Sequence, residues 1–220
     1  MSAPDRWLDV KATMGDRRLE LGRHVGHWFR HSPRRLLHAM SYYKFASKMI
    51  GRGKAVLDVG CGEGIGTWLL AVENGTARGV DLDDDAIRVA TANYGHDPRI
   101  SFACEDFLEG EPKAWDAVVN FDVIEHVLPG HVGGFWQRIA DSLVHDGVAI
   151  VGTPNVTSDQ YASPITRAGH VNLYSGDRLA EEMGRYFHHV FLFAANDEVV
   201  HTGFLPMAHY LIAMGVRKRG

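Results

Sequence analysis

From residue 55 onward the chain alternates short apolar runs with longer segments whose apolar positions recur every three to four residues. Short runs bounded by glycine or acidic residues predict buried strands, and the longer periodic segments predict helices. Strands are expected at 55–59, 77–82, 100–104, 115–121 and 148–151, with helices after residue 66, over 83–94 and over 132–145. Strands alternating with helices imply a parallel sheet covered on both faces. Two further apolar strands, at 187–195 and 207–216, are joined by a loop too short to cross over, so they pair antiparallel. The pattern therefore predicts an α/β fold: a doubly wound, mostly parallel seven-stranded sheet with an antiparallel C-terminal hairpin.

Residues 1–33 are polar and weakly patterned, and Ser32-Pro33 marks the point where a helix begins. Leu36, Leu37, Met40, Phe45, Met49 and Ile50 then recur at helical spacing, which predicts an amphipathic helix over 34–50. The chain divides into an N-terminal helical cap region, 1–50, and a main domain, 51–220. His24, His27 and His31 follow i, i+3, i+7 spacing and read as a solvated helix face.

The densest signal is Ala55-Val-Leu-Asp-Val-Gly-Cys-Gly-Glu-Gly-Ile-Gly66. An apolar strand bearing Asp58 breaks into glycines at 60, 62, 64 and 66, and a helical run follows. Such a turn lets the backbone approach a ligand closely and points a helix N-terminus at it. A dinucleotide fingerprint needs glycine or alanine at the sixth position of G-x-G-x-x-G, but Ile65 or Thr67 stands there. No Gly-Lys-Ser/Thr follows, which excludes a P-loop.

An acidic strand followed by G-x-G-x-G resembles the first motif of the class I S-adenosylmethionine (SAM) methyltransferases, which share a Rossmann-like fold. Later segments extend the resemblance. The second strand ends at Asp81-Leu82, the third at Glu105-Asp106-Phe107, and the fourth at Asn120-Phe121 before Asp122-Val-Ile-Glu-His126. In that family the glycine turn packs on the amino acid and ribose of SAM. The resemblance implies that Asp58, Gly60, Cys61, Gly62 and Gly64 form this turn, that Asp81 accepts from the ribose hydroxyls, and that Leu82 packs on the adenine. It further implies that Glu105, Asp106 and Phe107 bind or cover the adenine and that Asn120 or Phe121 lies near the sulfur. Lys44 stands about where related enzymes place a cation for the SAM carboxylate, although a core-facing Tyr43 with a surface Lys44 suits the same helix equally. The resemblance covers about residues 34–216 and is densest over 55–127.

Methyl transfer leaves the protein to align the acceptor, exclude water and remove a proton. His126 and His170 are the candidate bases. Asp122, Glu125, His126 and His170 are alternatively a candidate metal set, similar to that of the ubiquinone-biosynthesis O-methyltransferases and the plant small-RNA 2′-O-methyltransferases. Here aspartate replaces the first glutamate of E-x-x-E-H, and mixed carboxylate and imidazole ligands suit Mg²⁺, Mn²⁺ or Zn²⁺. The long connection 153–176 is expected to form much of the acceptor pocket. The implied function is transfer of the SAM methyl group to a small-molecule hydroxyl. The N-terminal helix resembles those of surface-glycan methyltransferases and hints at a sugar-like acceptor. An RNA 2′-O-methyltransferase and a non-catalytic SAM-binding regulatory protein are the alternatives.

Composition narrows the partners. A chain of 220 residues with 45% hydrophobic and 23% charged positions suits one globular domain. A net charge of −4 gives no basic face for nucleic acid, and Arg34-Arg35 and Arg217-Lys-Arg219 are small clusters. No run approaches the ~20 apolar residues of a membrane span, and the first residues lack a signal-peptide core. Cys61 and Cys104 form no disulfide framework, so a reducing cytoplasm is the expected location.

Overall fold

The computed structural model describes residues 3–15, 18–109 and 112–220. Three helices come first: α1 (Ala3–Met14), α2 (Arg23–His31) and α3 (Pro33–Ile50). The alternating part follows as β1 (Lys54–Val59), α4 (Ile65–Asn74), β2 (Gly75–Asp81), α5 (Asp84–Tyr94), β3 (Ile100–Cys104) and β4 (Trp115–Phe121). It continues through α6 (Val132–Asp141), β5 (Leu143–Pro154), the short α7 (Pro164–Gly169) and α8 (Gly176–Gly184). The chain closes with β6 (Phe187–Ala195), β7 (Val200–His201) and β8 (Tyr210–Lys218).

The strands form one sheet in the order β3-β2-β1-β4-β5-β8-β6-β7. Its first five members are parallel, while β8 pairs antiparallel with both β5 and β6. The sheet has eight strands rather than the expected seven. The extra one, β7, contributes two residues that pair with Ala194 and Ala195. Two residues are too few for an alternating pattern to register.

Successive residues of each central strand enter opposite cores, as a period of two requires. Leu57, Val118 and Val151 pack with Phe135, Trp136, Ile139, Leu179 and Met183 of α6 and α8. Val56, Val119 and Ile150 pack on the other face with Ala46, Leu70 and Tyr94 of α3, α4 and α5. These continuous apolar strands are the signature of a sheet buried on both sides. Strand order reverses between β1 and β4, and the crevice beyond the carboxyl ends of those strands is where ligands bind in such sheets.

Several boundaries move, and the N-terminal region is more structured than its pattern suggests. The helix expected over 132–145 stops at Asp141, because Leu143 pairs with Trp115 and begins β5 early. The weakly patterned N-terminal region contains α1 and α2. No helix among the described residues is long and apolar enough to cross a membrane.

Candidate active site

The glycine turn links β1 to α4 and is held from below by β2. Gly60 and Cys61 both donate backbone N–H groups to the Val80 carbonyl, at 2.8 and 3.1 Å. Gly60 has φ 76°, and a Cβ there would lie 2.1 Å from Val123 Cγ2, so conformation and space both demand glycine. Gly62 donates its N–H to Asp81 Oδ2 at 2.8 Å, and Asp83 donates to Asp81 Oδ1 at 3.0 Å. The Asp81 carboxylate is thus fixed through both oxygens, each with a lone pair to spare.

A cavity of about 580 Å³ opens above the turn. Its floor takes Gly60, Cys61, Gly62, Asp81, Leu82, Glu105, Asp106, Phe107 and Phe121 from the strand ends. Phe107 is set edge-on to Phe135, with centroids 5.8 Å apart. Asp106 accepts from the Leu108 N–H at 2.8 Å, and Glu105 pairs with Arg78 at 3.0 Å. The opposite wall is largely apolar, with Val25 and Trp28 of α2, Leu36 and Met40 of α3, and Leu128 beyond β4.

Asp122, Val123 and His126 form the side of the cavity next to β4. Glu125, His126 and His170 each offer a donor atom, and these atoms lie within 4.8 Å of one another. The two imidazole rings meet edge to face, with centroids 5.0 Å apart. His126 Nδ1 lies 2.8 Å from the Gly169 carbonyl oxygen. A carbonyl can only accept, so Nδ1 is the donor here and Nε2 is the ring nitrogen left for a ligand.

Glu125 is completely buried. Oε2 accepts from the Thr153 hydroxyl at 3.1 Å, while Oε1 finds no hydrogen-bond partner among the described residues. Burial, and then the neighbouring Asp122 charge, push its carboxyl well above the usual carboxylate range. Burial, with His126 and Arg35 beside it, lowers the His170 pKa and favours the neutral, ligating imidazole.

Comparison with known proteins identifies this arrangement. A family model described as a methyltransferase domain matches residues 18–186. The chain belongs to the methyltransferase domain family. It is 31% identical over 124 residues to the mitochondrial ubiquinone biosynthesis O-methyltransferase of Arabidopsis thaliana, covering 54% of this chain and 38% of that protein. It is 32% identical over 158 residues to a probable S-adenosylmethionine-dependent methyltransferase of Mycolicibacterium smegmatis, covering 70% of this chain and 56% of that one. The chain therefore spans about half or less of these relatives' length. Its fold matches the Burkholderia thailandensis 1,6-didemethyltoxoflavin-N1-methyltransferase bound to S-adenosylhomocysteine (SAH), with TM-score 0.64 and 18% identity over 100% of this chain and 92% of that one. It likewise matches the Bradyrhizobium japonicum N-methyltransferase NodS in complex with SAH, with TM-score 0.63 and 17% identity over 83% and 86%. The fold is that of the Rossmann-like class I methyltransferases.

Four expected contact residues of this methyltransferase domain lie off the cavity wall. Lys44 is exposed, and α3 turns Tyr43 inward instead. Adjacent helical residues point about 100° apart, so one faces in and the other faces out. Asp58 is buried beneath the turn, accepting from the Thr67 hydroxyl at 2.6 Å and the Tyr43 hydroxyl at 3.1 Å. It braces the turn from behind. Burial raises its pKa to about 7, against the lowering effect of those two hydrogen bonds. Gly64 starts α4 and packs against Phe102 and Ala90. Asn120 is buried and donates to the Val59 carbonyl at 3.0 Å, tying β4 to β1.

Two further expectations change. Asp122 lines the cavity but stands outside the Glu125–His126–His170 donor cluster. Among the described residues the connection 153–176 gives none to the cavity wall; it meets the site behind Glu125 and His126 instead, through the Thr153 hydroxyl, the Gly169 carbonyl and the His170 ring. His24, His27 and His31 are all exposed, as a solvated face requires; His24 also borders the cavity, and the His27 and His31 ring centroids lie 4.6 Å apart. Sequence reasoning also missed Glu63 and Trp28 as wall residues, whereas the inward Tyr43 is one of the two orientations it left open. Glu63 lies inside the glycine turn, a position that carried a signal, whereas nothing local connects α2 to that turn.

Proposed function

We propose that this domain transfers the methyl group of SAM to a hydroxyl oxygen of a small, predominantly apolar molecule. The observation that carries the reading is one cavity bordered by the glycine turn and the acidic strand tips on one side and by His126 on the other. Gly60 and Gly62 leave backbone open to the cavity where the methionine and ribose parts would pass, and Asp81 is held ready for the ribose hydroxyls. Phe107 and Leu82 give the adenine a flat apolar bed. SAM supplies a methyl group already activated on a sulfonium. The chain's task is to align an acceptor with it and exclude water.

In the metal-free site His126 handles the acceptor proton through Nε2, because Nδ1 is engaged with the Gly169 carbonyl; with a cation bound, the same nitrogen would be a ligand instead. The donor cluster also fits a divalent cation. A buried carboxylate with one orphaned oxygen, next to a second acid and two imidazoles, is stabilised by positive charge. Mg²⁺, Mn²⁺ or Zn²⁺ would be held by Glu125, His126 and His170, where it would lower the pKa of an adjacent acceptor hydroxyl. The named O-methyltransferase relative supports oxygen as the acceptor atom. The apolar wall of Val25, Trp28, Leu36, Met40 and Leu128 favours an apolar hydroxylated acceptor over a sugar.

The test is calorimetry with SAH, then SAM turnover on a panel of phenols, catechols and sugars with and without chelator. Tight SAH binding and methylation of the apolar members are expected. A domain that binds no SAH would overturn the reading. Metal retained after dialysis in the wild type, and lost in Glu125→Gln and His170→Ala, supports the cation site; equal content in all three removes it.

A further inference from the structure

Helix α2 begins at Gly22 without a capping side chain of its own. The first N–H groups of a helix need acceptors, and here they find them far away in the sequence. Glu63 Oε2 accepts from the Gly22 N–H at 2.9 Å, and Oε1 accepts from His24 at 2.8 Å and Val25 at 3.2 Å. Glu63 is 6% exposed and sits inside the Gly60–Gly64 turn. Contact is close enough that a Cβ on Gly22 would lie 2.5 Å from the carboxyl carbon of Glu63. The cap that starts α2 therefore belongs to the turn that forms the cavity floor, while His24, Val25 and Trp28 of α2 form the wall opposite.

We propose that Glu63 is a positioning residue that couples occupation of the glycine turn to closure of α2 over the cavity. This rests on the reading of that turn as the SAM site. A ligand seated on Gly60–Gly64 fixes the turn and with it the Glu63 side chain. The carboxylate then holds the first turn of α2, which has no cap of its own. Coupling of this kind is reciprocal: a held α2 retains the ligand as strongly as the ligand retains α2. A closed α2 also keeps water from the reacting methyl group. The same segment has an outer tether that bypasses the turn, since Glu20 pairs with Arg88 at 2.8 Å and exchanges hydrogen bonds with Asn93. The coupling runs through Glu63, not through mere attachment of the segment.

Hydrogen exchange at the Gly22, His24 and Val25 amides, with and without SAH, tests this alongside SAH calorimetry. In the wild type these amides exchange slowly, and more slowly with SAH. Glu63→Ala frees them and weakens SAH binding by about five- to tenfold, the size expected for loss of a helix cap. Gly22→Ala does the same by displacing the carboxylate, and Glu63→Gln restores part of both effects. Arg88→Ala, which removes the ion pair of the outer tether and spares the Asn93 hydrogen bonds and Glu63, leaves the three amides protected. Protected amides in Glu63→Ala, or wild-type SAH affinity in both Glu63→Ala and Gly22→Ala, overturn the proposal. If the wild type itself binds no SAH, the donor-site reading fails, and ligand-free exchange in Glu63→Ala still decides whether Glu63 holds α2.

Discussion

Gly62 donates its backbone N–H to Asp81 Oδ2 at 2.8 Å, so the turn after β1 and the acidic tip of β2 form one rigid unit. Asp81 is aimed by the backbone of the turn it serves. A carboxylate held in this way loses little rotamer entropy on binding a ligand.

Replacing Asp81 tests that unit. Asp81→Ala removes a charged acceptor and leaves the Gly62 and Asp83 N–H groups without it. SAH affinity should fall by roughly 10- to 100-fold, in line with ~1.5–3 kcal/mol for a hydrogen bond to a charged group. Asp81→Asn should fall between Ala and the wild type. Calorimetry decides, and an affinity unchanged in Asp81→Ala removes Asp81 from the site.

Gly60→Ala should destabilise the fold through two separable effects. Positive φ costs about 1–2 kcal/mol for an L-residue, and the clash with Val123 Cγ2 adds about 1–3 kcal/mol of overpacking. Val123→Ala in the same chain should relieve the second cost but not the first. Urea unfolding of the four-member cycle measures the coupling. Strict additivity would show that the two residues do not meet.

Asp58 gives stability a pH dependence of definite sign. Its folded pKa, about 7, lies above the ordinary carboxylate value. Between these two values the folded state binds the extra proton, so the group's contribution is fully present below about pH 4 and is lost as pH rises through 7. Asp58→Asn, which cannot ionise, should gain on the wild type by a few kcal/mol between pH 4 and pH 8. Unfolding free energies that run parallel across that range contradict the burial argument.

His126→Ala should lower kcat by about 10²–10⁴-fold while leaving SAH affinity within a fewfold of the wild type. Single-turnover rates with bound SAM provide the measurement. A change confined to SAH affinity assigns His126 to the cofactor wall and not to proton transfer.

Much of the site was legible because its signals are local. Acids at strand ends and glycines at a strand-to-helix turn reflect constraints that act within a few residues. The orientation of α3 was not legible in the same way. Tyr43 and Lys44 are neighbours, both compatible with a helix, and only packing of Tyr43 against Gly66 and Phe121 decides which faces the cavity. The two-residue β7 left no pattern, and the connection 153–176 looked like a pocket wall because its length, not its packing, was visible.

By itself the sequence determined the strand–helix alternation, the antiparallel ending and the glycine turn, while the roles of the acidic strand tips came from resemblance to the methyltransferases. The first three follow from periodicity or from the conformational demands of glycine, which act over short stretches of chain. Tertiary structure alone decided that Asp58 and Asn120 brace the site from behind, that Glu125, His126 and His170 converge, and that α2 is capped from the glycine turn. Those are contacts between residues far apart in the chain. Their geometry depends on how two packed faces settle against the sheet, which no local pattern encodes.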